Sequence, residues 1–235
     1  MTDTLQDVDP TTPRASEASR SVGRALALLK VVCDSGSVTM ADAARATSLA
    51  PSTALRLLRK LEDVGFVLRD EQGEFSPGPT IIGLGAQALS RNRIVRSFRP
   101  IMRDLAVGTG ESIYLSVRRS DDLCLYVAAA QGTHPIRYEN WVGRTFSPEN
   151  SAAGSLLMGA KPENGYVIVG AGVDPDVTAI AAPVLIDGQP VAALSALVPS
   201  YRTNAERSAT IGVALIAAVE EFGRASLRSD DLPES

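Results

Sequence analysis

The chain has 235 residues, 45% hydrophobic and 21% charged, long enough to bury a core without disulfide or metal staples. Two cysteines, Cys33 and Cys124, and one histidine, His134, exclude a disulfide framework and a multi-histidine metal centre. No apolar run approaches the ~18 residues that span a bilayer and no secretory signal opens the chain, so the expectation is a cytoplasmic protein without a membrane segment.

Charge divides unevenly. Residues 1–19 carry a net of −3, residues 20–93 a net of +3, and residues 94–235 a net of −4. A basic block inside a weakly acidic chain suits contact with nucleic acid by one part only.

Residues 1–19 are rich in Thr, Asp and Pro and have too few apolar groups to offset ordering entropy, which predicts a disordered tail. In SVGRALALLKVVCDSG, Val22, Ala25, Leu26, Leu29 and Cys33 fall on one helical face, and Gly36 stops the run. Thr39 followed by Asp42 is a capping-box variant that opens a short helix. Ser48-Leu49-Ala50 makes a tight connection, and Pro51 suits the first turn of a third helix, where its missing N–H would have had no partner. That helix has an apolar stripe at Ala54, Leu57, Leu58 and Leu61, with Ser52, Thr53, Arg56, Arg59 and Lys60 opposite. After Gly65 the period changes to alternation, and a small β-hairpin with its tip at Glu71–Gly73 is expected. Helix, short helix, tight turn, helix and hairpin together read as a winged helix-turn-helix.

Residues 79–92 are helical with two apolar stripes, Ile82, Ala86, Leu89 and Ile81, Leu84, Ala88, which calls for two packing partners. From Ile94 a further helix with a bend at Pro100 leads to strands SIYLSVRR and LCLYVAAA. Residues 131–150 are irregular, SAAGSLLMGA is a short helix, and TAIAAPVLI and PVAALSALV form a hairpin about Asp187-Gly188. A helix over roughly 204–227 closes an α+β domain. The division expected is a tail at 1–19, a winged helix-turn-helix at 20–78, a linker helix at 79–93, a second domain at 94–228 and a tail at 229–235.

To read bases, a helix must bring a polar face into the major groove. Ser52, Thr53 and Arg56 sit at the leading end of the third helix, and Arg59 and Lys60 are placed for phosphate, with Asp63 near enough to engage one of them. Arg69 and Gln72 on the wing, and Arg20 and Arg24 on the first helix, are further candidates, although Arg24 equally suits a plain surface position. The alternative for this face is a solvated helix on an ordinary bundle. No enzyme is expected. There is no G-x-S-x-G elbow and no dinucleotide or P-loop spacing, both cysteines read as small hydrophobes, and no cofactor or metal site is indicated.

The segments SVGRALALLK, TMADAARATSLAPSTALRLLRKLEDVGFV, FSPGPTIIGLG, RPIMRDLAVGTGES, SAAGSLLMGA and TAIAAPVLIDGQPVAALSALVPSYR are similar to the IclR-type transcriptional regulators. The resemblance covers about residues 20–225. It implies a dimeric winged-helix reader of palindromic double-stranded operator DNA, a linker helix, and a GAF-like domain that binds a small effector. In many members it implies a tetramer. Phe146, Asn150, Ser151, Ala153, Thr178, Ala179 and Ser195 are the effector-pocket residues it implies. The start of the SAAGSLLMGA helix, Ser151 to Gly154, suits a carboxylate, so an organic or aromatic acid is expected there with Arg137 or Arg144 as charge partner. Trp141 is expected to be a packing anchor rather than a stacking surface.

Two departures bear on that domain. Between SAAGSLLMGA and TAIAAPV only KPENGYVIVGAGVDPDV stands where the family carries a longer helical insert. Leu197 occupies a place where the family tends to a small polar residue. The shortened wall implies a pocket that is more open, differently walled or vestigial, and the second reading is a domain that only oligomerises.

Overall fold

The computed structural model describes residues 17–135 and 141–229. The chain forms two compact units that divide between Ala88 and Leu89.

The first unit begins with α1 (Glu17–Ser35), α2 (Met40–Ala46) and α3 (Pro51–Asp63). Helix α1 starts inside the stretch predicted as a tail, at Glu17; residues 1–16 lie outside the described ones. Thr39 caps α2: its Oγ1 accepts from the Asp42 N–H at 3.2 Å and donates to the Asp42 carboxylate at 2.8 Å. This differs from the reciprocal capping box, since Asp42 meets the hydroxyl rather than the backbone of Thr39. In the α2–α3 turn Ser48 takes a left-handed φ of 53° and the Leu49 N–H returns to the Ala44 carbonyl at 2.9 Å.

Strands β1 (Val67–Arg69) and β2 (Phe75–Pro77) pair antiparallel, with Arg69 opposite Phe75. Val38 adds a bridge to Phe75, accepting and donating at 2.8 and 3.0 Å. Leu28, Val32, Ala43, Ala54, Leu58, Val67 and Phe75 form the core of this unit, all fully buried. Gly78 sets the exit of the wing: a Cβ there would stand 2.2 Å from the Gly65 carbonyl oxygen, so only glycine allows the two segments this close.

Helix α4 (Pro79–Arg91) has no buried residue; Ile82 is 63% and Leu84 50% exposed. The two stripes read from sequence are there, but within the described chain neither is covered: Ile81 touches the first unit's core and Leu89 the second's, each only in part.

The second unit takes in the end of α4 from Leu89 and continues with α5 (Arg93–Thr109), capped by Asn92, whose Oδ1 accepts from Val95 N–H at 3.0 Å. The helix runs on through Pro100. Its sheet holds β3 (Ser112–Arg118), β4 (Cys124–Ala130), β5 (Thr145–Phe146), β6 (Val167–Gly170), β7 (Val177–Ile186) and β8 (Gln189–Pro199), in the order β5-β4-β3-β8-β7-β6 and antiparallel throughout. The β7–β8 turn has Asp187 and Gly188 at φ 50° and 73°, the positive values that a two-residue hairpin demands. Helices α5 and α7 (Ala205–Ser229) cover one face, with Phe98 stacked on Phe222 at 4.6 Å. Helix α6 (Ala152–Leu157) covers the other, over an aromatic cluster. The fold is α+β, as the sequence predicted.

Strands β5 and β6 correct the sequence reading, which takes residues 131–150 as irregular and assigns no element to KPENGYVIVGAGVDPDV. Val167-Ile168-Val169 is a β-branched run that alternates half-buried and exposed along the outer edge of β7. At four residues it is too short to stand out as a period, and the pairing strand supplies what the pattern lacks.

Candidate nucleic-acid interface and effector pocket

Helix α3 separates two faces. Ala54, Leu57 and Leu58 are buried, whereas Ser52, Arg56, Arg59 and Lys60 are exposed and Thr53 half-buried. At 100° per residue these five span one arc, and Ser52, Arg56, Arg59 and Lys60 share one surface hollow. The helix start has Pro51 in its first turn and no side-chain cap, since the N-cap residue is Ala50. Lys60 Nζ stands 3.0 Å from Asp63 Oδ2, with both side chains largely in solvent. On the wing, Arg69 lays its guanidinium over the Phe75 ring at 5.6 Å, and Gln72 is exposed at the tip. Arg20 and Arg24 are exposed on α1.

The pocket side of the second unit is nearly full. Tyr114, Tyr126, Trp141 and Phe146 pack with ring centroids 4.5–5.7 Å apart. Burial pushes the Tyr126 phenol well above its ordinary value, with Tyr114 and Cys124 adding to it. Between this cluster, α6 and the segment after β6 lies a cavity of about 10 Å³, the volume of a single water position.

Asn150, Ser151, Ala153, Ala179 and Ser195 line that cavity, as the resemblance implied. Phe146 and Thr178 do not: Phe146 stacks on Tyr126 at 4.5 Å, and the Thr178 hydroxyl lies 3.5 Å from that of Ser200. Residues the sequence reading did not assign, Tyr126, Trp141, Val169 and Asp174 among them, complete the wall. Ser195 Oγ is buried without a hydrogen-bond partner.

Of the three outcomes that the shortened wall implied, more open, differently walled or vestigial, the wider opening is not what the structure has. The segment after α6 folds back through β6, and Gly172 seats against the Asn150 carbonyl so closely that a Cβ would lie 2.1 Å from its oxygen. The carboxylate site expected at the start of α6 is weakened too, because Ser151 Oγ already takes the Gly154 N–H at 3.1 Å. Arg144 is exposed and outside the lining, and Arg137 lies outside the described residues. Among the described residues the only charged side chain on the wall is Asp174.

Sequence reading also missed a buried ionic cluster. Glu111, at 1% exposure, receives Arg202 Nη2 and Arg207 Nη2 at 2.9 Å each, and His134 Nε2 lies 3.7 Å from its Oε1. This ties the start of β3 to the turn after β8 and to the first turns of α7. The TGES segment that carries Glu111 enters the sequence reading only through a resemblance; its two arginine partners lie 91 and 96 residues on, beyond the reach of a local pattern.

Comparison with known proteins matches both units. The IclR helix-turn-helix domain model matches residues 21–71, and that of the bacterial transcriptional regulator IclR C-terminal domain matches residues 86–168. The chain belongs to the IclR family. The HTH-type transcriptional regulator KipR of Bacillus subtilis is 26% identical over 126 residues, covering 54% of this chain and 50% of KipR. The transcriptional repressor IclR of Escherichia coli is 29% identical over 150 residues, 63% of this chain and 55% of the repressor. These matches thus span about half the length of the two relatives. Among solved structures, an IclR-type regulator from Alicyclobacillus acidocaldarius superposes with a TM-score of 0.75 at 24% identity, over 86% of this chain and 96% of its own. An IclR homolog from Microbacterium hydrocarbonoxydans complexed with 4-hydroxybenzoate gives 0.71 at 21%, over 87% and 99%. Both share this fold.

Proposed function

We infer that this chain is a sequence-specific DNA-binding transcriptional regulator, and that a small molecule held on the α6 side of the second unit modulates its affinity for an operator. The observation that carries the reading is the arc of Ser52, Thr53, Arg56, Arg59 and Lys60 on α3, turned away from a fully apolar core and followed by a basic wing. In this reading Ser52, Thr53 and Arg56 meet base edges, and Arg59, Lys60, Arg69, Arg20 and Arg24 meet phosphate. Gln72 reaches the flanking groove. The uncovered stripes of α4 favour a homodimer, whose two α3 helices reach major grooves one turn (~34 Å) or a multiple apart on a palindromic site. The repressor name of the E. coli relative supports repression as the mode of action. The effector part draws support from the 4-hydroxybenzoate bound by the Microbacterium homolog. An effector that prefers one arrangement of the protein shifts the DNA-competent population, and DNA alters effector affinity by the same factor.

One observation favours a second reading, in which the domain only oligomerises: the cavity is about 10 Å³.

The test is selection of bound fragments from a randomised duplex library by the purified protein, followed by titration of the enriched site. Binding ~10³-fold or more tighter than to unrelated duplex supports the reading. Enrichment of no sequence, with all duplexes bound alike, overturns it.

A further inference from the structure

Trp141 is the only tryptophan in the chain. It is 9% exposed, 5.7 Å from the Tyr114 ring and 5.6 Å from the Tyr126 ring, and it forms part of the cavity wall, as Ser195 does. An apolar cavity that takes a benzene ring has a volume of about 150 Å³. The space beside Trp141 is smaller by an order of magnitude. The indole is bulky enough to account for most of that difference, and it is seated against two rings at the wall of a cavity that the buried Ser195 also lines, the surroundings that a ring-bearing ligand would use.

We propose that Trp141 is the residue that sets the size limit of this pocket: its indole occupies the place of a ring-bearing ligand. This rests on the reading of the cavity on the α6 side as the effector site. A ring enters the native protein only by displacing the indole, and every contact Trp141 makes with Tyr114 and Tyr126 then counts against affinity. The same geometry opposes a stacking role, in which Trp141 would form one wall of a space already wide enough for the ligand. Asp174, on the same wall, makes a neutral ring the cleaner probe than a carboxylate.

The experiment titrates the native protein, Trp141→Phe and Trp141→Ala with indole by calorimetry, and follows each melting temperature at a fixed excess of indole. The expected order of affinity is Ala, then Phe, then native, with at least tenfold between the extremes, and indole raising the melting temperature of Trp141→Ala but not of the native protein. Native protein that binds indole as tightly as Trp141→Ala, or more tightly, overturns the proposal. So does a Trp141→Ala protein that remains folded and dimeric by gel filtration and takes up no indole. Should Trp141→Ala fail to fold, Trp141→Leu replaces it under the same criterion.

Operator affinity of the indole-loaded variant is a separate readout. Indole bound with no change in operator affinity leaves the size limit standing and sinks the effector reading.

Discussion

Replacing Lys60 by alanine should change how operator binding responds to salt, whereas replacing Arg56 should change which operator is bound. Lys60 already has a partner in Asp63, 3.0 Å away, but the two side chains are 74% and 59% exposed. An exposed pair of this kind is worth at most ~1 kcal/mol, so a phosphate can claim the ammonium at little cost. Each phosphate contact contributes about 0.9 to the slope of log affinity against log salt. The proposed dimer would lose one contact per protomer, so Lys60→Ala should flatten the slope by about two units. It also leaves Asp63 facing the duplex without its counter-charge, so weakening should be uniform across sequences and greatest at low salt. Arg56 is exposed on the same arc and has no ion pair among the described residues. Arg56→Ala should cost ~1–3 kcal/mol per base contact on the selected operator and little on random duplex. Fluorescence anisotropy titrations from about 50 to 200 mM salt separate the two effects. An unchanged slope in folded Lys60→Ala refutes the phosphate role, and an equal loss on operator and random duplex moves Arg56 to phosphate duty.

Ile82 is 63% exposed on a helix with no buried residue. Ile82→Asp should therefore spare the protomer fold and shift sedimentation from dimer to monomer, and an intact dimer rejects α4 as the seam. Glu111→Ala leaves two guanidiniums without their buried carboxylate and should destabilise the second unit by ~3–5 kcal/mol, nearer the lower figure because Arg207 stays in part hydrated. Urea unfolding showing a loss below ~1 kcal/mol would mean that the cluster does not hold the unit together. Cys33 is exposed, yet partial burial and the neighbouring Asp34 raise its thiol pKa, while burial raises that of Cys124. A raised pKa means less thiolate at a given pH, so one thiol should label more slowly than free cysteine and faster as pH rises, the second only after unfolding. Two thiols labelling at one rate in the native protein would contradict the buried position of Cys124.

How far the sequence foretold this molecule depends on the range of the contacts involved. The α3 arc is legible because buried and exposed positions on one helix are fixed by a 100° step, and Ala54, Leu57 and Leu58 fall inside as that step requires. The β7–β8 hairpin is legible for a similar reason: Asp187-Gly188 can take the positive φ values that the turn needs. Strand β6 fails that test, since its four residues are strand only by virtue of register with Ala181 to Thr178. The Glu111 cluster fails it more completely, because a carboxylate and its guanidiniums meet only after β3, β8 and α7 have packed.

The pocket shows the same limit from the other side. Five of its seven implied residues do line the cavity, since strand alternation and the α6 start place them there. Its volume follows no local rule. A shortened wall reads in sequence as missing material, and in three dimensions the segment after β6 closes on Asn150 while Trp141 fills from within. Openness is a balance of volumes contributed by distant segments, and one side chain as large as an indole reverses its sign. A pocket named by its lining in a shortened relative is therefore a statement about position, and what fits there has to be argued from the side chain that occupies it.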